Sequence, residues 1–105
     1  MKWLSIIFIS REKQKSVYDW ADIEYNGLPV GKARCLINGD EFIIYTITIY
    51  PEYQGNGYGK EFVKKAKLQY KKIIADSVRY KAIGFWEHVG FKKDGDTGNW
   101  MYCCL

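Results

Sequence analysis

Proline and histidine are nearly missing from this 105-residue sequence, which has two of the first and one of the second, and its three cysteines show no Cys-x-x-Cys spacing. A zinc site or a disulfide framework needs such residues at regular intervals, so no metal is expected, and a reducing cytoplasm is the simplest home for Cys35, Cys103 and Cys104. Long apolar runs are lacking too. The opening Met1-Lys2-Trp3-Leu4-Ser5-Ile6-Ile7-Phe8-Ile9 is too short to span a bilayer, has no small-residue cleavage site after it, and is ended by Arg11-Glu12-Lys13. It reads as a first strand, and no membrane partner is expected. The formal charge of +4, from 16 Lys and Arg against 12 Asp and Glu, favours an anionic ligand but lacks the dense basic signature of a dedicated nucleic-acid binder. Internal repeats, low-complexity stretches and linkers are also absent, so one domain covering residues 1–105 is expected.

What is present is core material, 48% hydrophobic and 17% aromatic. In the first half, β-branched and aromatic runs alternate with turn residues and show no helical period, which predicts an antiparallel meander. Its strands would be Trp3 to Ile9, Val17 to Tyr25, Val30 to Ile37 and Phe42 to Tyr50. Asn26-Gly27 and Asn38-Gly39 are hairpin signals, because both residue types tolerate positive φ. Large residues on both faces of Phe42 to Tyr50 suit a central strand. The character changes at Pro51. Gly59 to Lys72 then reads as a helix with Phe62, Val63, Ala66, Tyr70 and Ile73 on its buried side and Lys60, Lys64, Lys67 and Lys71 on a solvated one. Lys72 to Asp76 would be a short strand, Arg79 to Val89 a second helix, and Asn99 to Leu105 a last strand. The fold class is therefore α+β, with a mixed, mostly antiparallel central sheet flanked by helices.

The chemistry is expected where a strand passes through a glycine-rich turn into a helix, at Ile47-Thr48-Ile49-Tyr50-Pro51-Glu52-Tyr53-Gln54-Gly55-Asn56-Gly57-Tyr58-Gly59-Lys60. Glycines allow close approach, and the free N–H groups of a helix start can surround a pyrophosphate. Lys60, in the first turn, adds a charge. A Rossmann fingerprint would need glycine at Lys60 or at Phe62; a Walker A loop would need glycine at Gln54 and Ser or Thr at Glu61. Neither is met. The remaining pattern, Gln-x-x-Gly-x-Gly on Gln54, Gly57 and Gly59, resembles the acetyl-CoA pyrophosphate loop of the GNAT superfamily of N-acetyltransferases. A second block, Ala82-Ile83-Gly84-Phe85-Trp86-Glu87-His88-Val89-Gly90-Phe91, is similar to that family's late helix. Together the blocks cover about Ile43 to Phe91, in family order.

The resemblance implies a GNAT-like fold and direct transfer of an acetyl group from acetyl-CoA to a primary amine. It also implies a strand, here Ile47-Thr48-Ile49, that splays from its parallel neighbour to admit the pantetheine arm. The pyrophosphate would lie on the amides of Gln54, Gly55, Asn56, Gly57, Tyr58 and Gly59, with Trp86 packing against the cofactor. Ile43 occupies the position where some members carry a glutamate, so Glu41 is the first candidate base and Glu24 the second. Trp86 stands where the family commonly has tyrosine, and an indole cannot supply a proton; Tyr102 or Tyr80 would substitute. His88 falls off the packing face of its helix, and Cys103 and Cys104 have no catalytic partner nearby in sequence. Family members insert helices between the first two strands, whereas Ser10 to Ser16 alone connects them here. This shortened N-terminal half would leave the acceptor side open, for a protein lysine or N-terminus, or for a homodimer mate that completes the pocket. Two other readings stay open: a non-catalytic acyl-CoA-binding or regulatory module, and a nucleic-acid binder using the lysine stripe.

Overall fold

The structure, a computed structural model, describes residues 4–103. Trp3, Cys104 and Leu105, at the outer ends of the expected first and last strands, lie outside the described residues. The first half is a four-stranded meander of β1 (Leu4–Ile9), β2 (Asp19–Tyr25), β3 (Leu28–Asn38) and β4 (Glu41–Ile49). Asn26 and Gly27, with φ of 51° and 81°, turn β2 into β3, as the Asn-Gly pair predicts. α2 (Tyr58–Gln69) follows the glycine-rich turn, then β5 (Lys72–Ala75), α3 (Ile83–His88), β6 (Lys92–Lys93) and β7 (Trp100–Cys103). The sheet runs β1-β2-β3-β4-β5-β7-β6, and β4 with β5 is its parallel pair. The mixed α+β class expected from the sequence is the one found.

Several boundaries move for physical reasons. The stretch expected to be a bare connection after β1 contains α1 (Arg11–Gln14), started by the Ser10 hydroxyl, which accepts from the Lys13 N–H at 3.2 Å. Asp19 fastens this turn to the sheet by accepting from the backbone N–H of Arg11 at 2.6 Å and of Ile37 at 2.9 Å. α2 stops at Gln69 rather than Lys72, because Tyr70 is extended and the N–H groups of Lys71 and Lys72 turn to the Asp40 carbonyl. Ile73, expected on the helix, is buried in β5 instead.

The core lies between one face of the sheet and helices α2 and α3. Phe42 is at its centre, edge-on to Phe8 at 5.9 Å and stacked on Tyr70 at 4.8 Å. Burying such a side chain contributes about 1.5–3 kcal/mol. The other face of the meander carries Trp20, Lys32 and Arg34, with Lys32 5.5 Å from the Trp20 ring. Among the described residues, no helix is long and apolar enough to cross a membrane.

Two irregularities in β4 create the site. Arg34 pairs with Thr46 but Cys35 with Ile44, so Tyr45 is an extra residue in β4. Such a bulge reverses side-chain alternation, which puts Ile47 and Ile49 on the same core face as Phe42 and Ile44. In addition, β4 pairs with β5 only from Glu41 opposite Lys72 to Ile44 opposite Ala75, ending with the Asp76 N–H on the Ile44 carbonyl at 2.9 Å. Beyond that rung the two strands part.

Candidate active site

The parting of β4 and β5 opens a cavity of about 710 Å³ that passes from the helix face of the sheet to its other face. On the helix side it is lined by Ile47, Ile49, Gly59, Phe85 and Trp86, and on the other by Tyr18, Arg34, Tyr45, Thr46 and Asp76. Strand alternation decides which backbone groups face it. The Tyr50 N–H donates to the Val30 carbonyl at 2.9 Å, and the Thr48 carbonyl crowds Gly31, so residues 48 and 50 address β3. The N–H groups of Ile47 and Ile49 therefore turn toward the gap, free to hydrogen-bond an extended ligand as a missing strand would.

At the helix-side end stands the glycine-rich turn. Gly55 and Gly57 have φ of 85° and 79°, which favours glycine, and a Cβ on either would meet nothing within 4 Å. The space above them is thus open to a ligand. Gly57 is the N-cap of α2 without a side-chain cap, and the first helical hydrogen bond runs from the Glu61 N–H to the Gly57 carbonyl. The N–H groups of Tyr58, Gly59 and Lys60 precede that bond and point out of the helix start, where the dipole favours an anion. Gln54 folds back so that Nε2 donates to the Ile49 carbonyl at 3.0 Å, and Asn56 Nδ2 donates to the Tyr53 carbonyl at 3.0 Å. These two side chains hold the turn against the end of β4 and leave its amides outward. Tyr58 packs on Tyr25 at 4.9 Å, and Lys60 is exposed in the first turn.

Of the expected cofactor residues, Ile47, Thr48, Ile49, Gly59 and Trp86 line the cavity, and Gln54 is tied to the Ile49 carbonyl at the end of β4. Trp86 is buried between Phe85 and Phe91, with ring centres 5.0 and 4.8 Å away. The catalytic candidates fall elsewhere. Glu41 starts β4, at the end away from the cavity, where its carboxylate meets Lys72 Nζ at 3.8 Å. Glu24 pairs with Ser5 on β1. Tyr102 lies under Lys67, whose Nζ is 4.4 Å from its ring, and packs on Phe91. Tyr80 is 89% exposed, and His88 and Cys103 are exposed. Ile43 leaves no carboxylate on β4 beside the gap.

Sequence reasoning missed the carboxylate that does line the cavity. Asp76 follows the last rung of β5, its Oδ1 accepting from the Ser77 hydroxyl at 2.8 Å, while the Ser77 N–H is held by Asn99 Oδ1 at 2.9 Å. An acidic residue just past a short buried strand was the available signal. Tyr45, its neighbour across the end of the pairing, has its phenol pKa pushed up by burial and by Asp76, against a lowering by Arg34, so it stays protonated. Tyr18 meets Tyr45 at 4.9 Å, and Arg34 stacks over both rings. No motif marks this trio, because the β3 register and the bulge bring it together. The lysine stripe is also broken: Lys67 turns inward and donates to the Val89 carbonyl at the end of α3. No group of three or more His, Cys, Asp or Glu that could hold a metal occurs among the described residues.

Residues 18–93 match the family model described as acetyltransferase (GNAT) domain. No curated protein sequence matches significantly. Among solved structures, coenzyme A-bound YhhK from E. coli is 16% identical with a TM-score of 0.70, covering 96% of this chain and 98% of that one. Bacillus subtilis N-acetyltransferase YlbP in complex with coenzyme A is 16% identical with a TM-score of 0.68, covering 98% and 97%. The ribosomal-protein-S18-alanine N-acetyltransferase of E. coli is 16% identical with a TM-score of 0.60, covering 96% and 91%. At these identities the likeness shows a shared fold.

Proposed function

The chain belongs to the GNAT acetyltransferase family, and from that premise we propose that it transfers an acetyl group from acetyl-CoA to a primary amine, of a protein or of a small molecule. The observation that carries the reading is the gap between β4 and β5, which joins an outward-facing helix start on one side to a carboxylate on the other. The residues present fit acetyl-CoA: open space above Gly55 and Gly57 for the pyrophosphate, free strand amides at Ile47 and Ile49 for the pantetheine arm, and the Trp86 wall beside it.

Acetyl-CoA supplies an activated acyl thioester. Asp76 accepts the proton that the attacking amine loses, which makes it the general base in place of Glu41. The amine nitrogen bonds to the acyl carbon as the carbon–sulfur bond breaks, and the Ile47 N–H, turned toward the gap, steadies the charge developing on oxygen. Sulfur leaves as thiolate, which a pKa near ~8.5 tolerates. The Tyr45 hydroxyl, kept protonated, is the hydrogen-bond donor beside the gap.

Calorimetric titration with acetyl-CoA tests the site. The native protein is expected to bind saturably, and Gly57→Glu to weaken binding by more than about tenfold with its circular dichroism unchanged. Asp76→Asn is expected to retain acetyl-CoA affinity while lowering kcat/KM by about 10²–10⁴-fold. No binding by the native protein would remove the acetyltransferase reading. Binding without turnover on any amine would favour a non-catalytic acyl-CoA-binding module, a second reading supported by Trp86 and Ile43 at the positions where the resembled family carries its acid and base.

A further inference from the structure

Arg34 is a charged residue on the cavity wall whose chemistry the acetyl transfer does not use. It projects from β3 on the face away from the helices, next to the bulge, with Cζ 4.7 Å from the Tyr18 ring centre and 5.9 Å from that of Tyr45. Two aromatic rings hold the guanidinium in place. Its Nε is buried without a hydrogen-bond partner, and among the described residues no carboxylate lies within ion-pair distance of it. A buried N–H left unpaired is costly, and such groups ordinarily have a partner. A surface arginine serving only solubility would lie in water, whereas this one is packed into the wall of the gap.

The neighbouring charge defines what would complete it. Asp76 and Tyr45 are the first residues beyond the last β4–β5 rung, and Arg34 lies over the Tyr18 and Tyr45 rings, so this half of the cavity sets the Asp76 carboxylate and the Arg34 guanidinium around two phenols. Arg79, the other arginine of the lining, is exposed on the loop after β5. A phosphate dianion would be repelled by Asp76. An acceptor whose amine sits at Asp76 and whose carboxylate sits at Arg34 satisfies both charges, and an arginine fork suits a planar carboxylate.

Resting on the acetyltransferase reading, we infer that Arg34 is a specificity-determining residue that binds a carboxylate of the acceptor, and that the acceptor is a small amino acid-like zwitterion. The amine enters from the uncovered face of the sheet, and the acetyl group reaches it through the gap from the helix side.

The test uses matched probes: glycine, β-alanine and γ-aminobutyrate against methylamine, ethylamine and propylamine, which lack only the carboxylate. Acetylation is followed by thiol release. In parallel, the affinities of the six N-acetylated products are measured by calorimetry in the presence of coenzyme A, which needs no turnover. At least one carboxylate probe is expected to be preferred by about tenfold or more in one of these readouts. Arg34→Gln should abolish the preference, Arg34→Lys should restore part of it, and acetyl-CoA affinity should stay native in both variants. Equal handling of acids and amines, a preference that survives Arg34→Gln, or one lost instead in Arg79→Gln would overturn the assignment. Failure of the native protein to bind acetyl-CoA would overturn the underlying reading and this one with it. Intact acetyl-CoA binding without a carboxylate preference overturns this one alone.

Discussion

At the scale of single residues, close approach of backbone decides more than charge. Gly31 is the clearest case. A Cβ there would collide with the Thr48 carbonyl and come within 3.1 Å of Ile49 Cα, both on the strand that edges the cavity. Backbone cannot yield as a flexible side chain can, so Gly31→Ala is expected to lower unfolding stability by about 1–3 kcal/mol, read as a shift in urea midpoint at unchanged m-value. Gly59 is different in kind: its added Cβ would sit 3.6 Å from the Phe85 ring, an ordinary contact. The motif glycines Gly55 and Gly57 are explained instead by positive φ, a backbone requirement that sequence spacing hinted at without distinguishing it from simple lack of bulk.

At the scale of elements, α3 is only six residues long and buries only Trp86 in its span, so it depends on neighbours to stay placed. Lys67 of α2 supplies one tie, with its ammonium on the Val89 carbonyl just past α3 and over the rings of Tyr102 and Phe91 at 4.4 and 5.9 Å. A cation at a helix C-terminus is favourable, and a charged hydrogen bond contributes about 1.5–3 kcal/mol. Lys67→Met keeps the aliphatic stem and removes the charge. It is expected to cost about 1–3 kcal/mol of stability and to increase amide exchange in residues 83–89, whereas Lys64→Met, on the exposed side, should change neither. Helical periodicity alone placed both lysines on one solvated stripe, because it cannot see α3 arriving beside α2.

At the scale of the molecule, the core joins the meander, β5, α2 and α3, and Cys35 reports on its integrity. Burial, with Asp19 adding to it, pushes the Cys35 thiol pKa up to about 12, from 9.0 for an exposed thiol. The folded state thus holds the proton where the unfolded chain releases it. Its contribution to stability is fully present below pH 9 and falls as pH rises toward 12, by up to about 1.4 kcal/mol per unit. Denaturant melts from pH 8 to 11 should therefore show a steeper alkaline loss for the native protein than for Cys35→Ala. In the native protein, Cys35 should resist thiol reagents that label exposed Cys103.

The sequence by itself determined the order of the longer elements and the glycine-rich turn proposed to take the cofactor, because both rest on local patterns: alternation in the meander, helical spacing in α2, and the Gln54 to Gly59 turn whose geometry its own residues impose. The proposed catalytic and acceptor side was decided only by tertiary structure. Glu41 was the first candidate base and Tyr102 a candidate acid along the chain, yet the register of β4 puts Glu41 on Lys72 and the packing of β7 puts Tyr102 under Lys67. Asp76, Tyr45, Tyr18 and Arg34 come from four separate segments, and one inserted residue in β4 with one early end to strand pairing gathers them around the gap. A bulge and a splay are agreements between strands, and a single strand's sequence does not carry them.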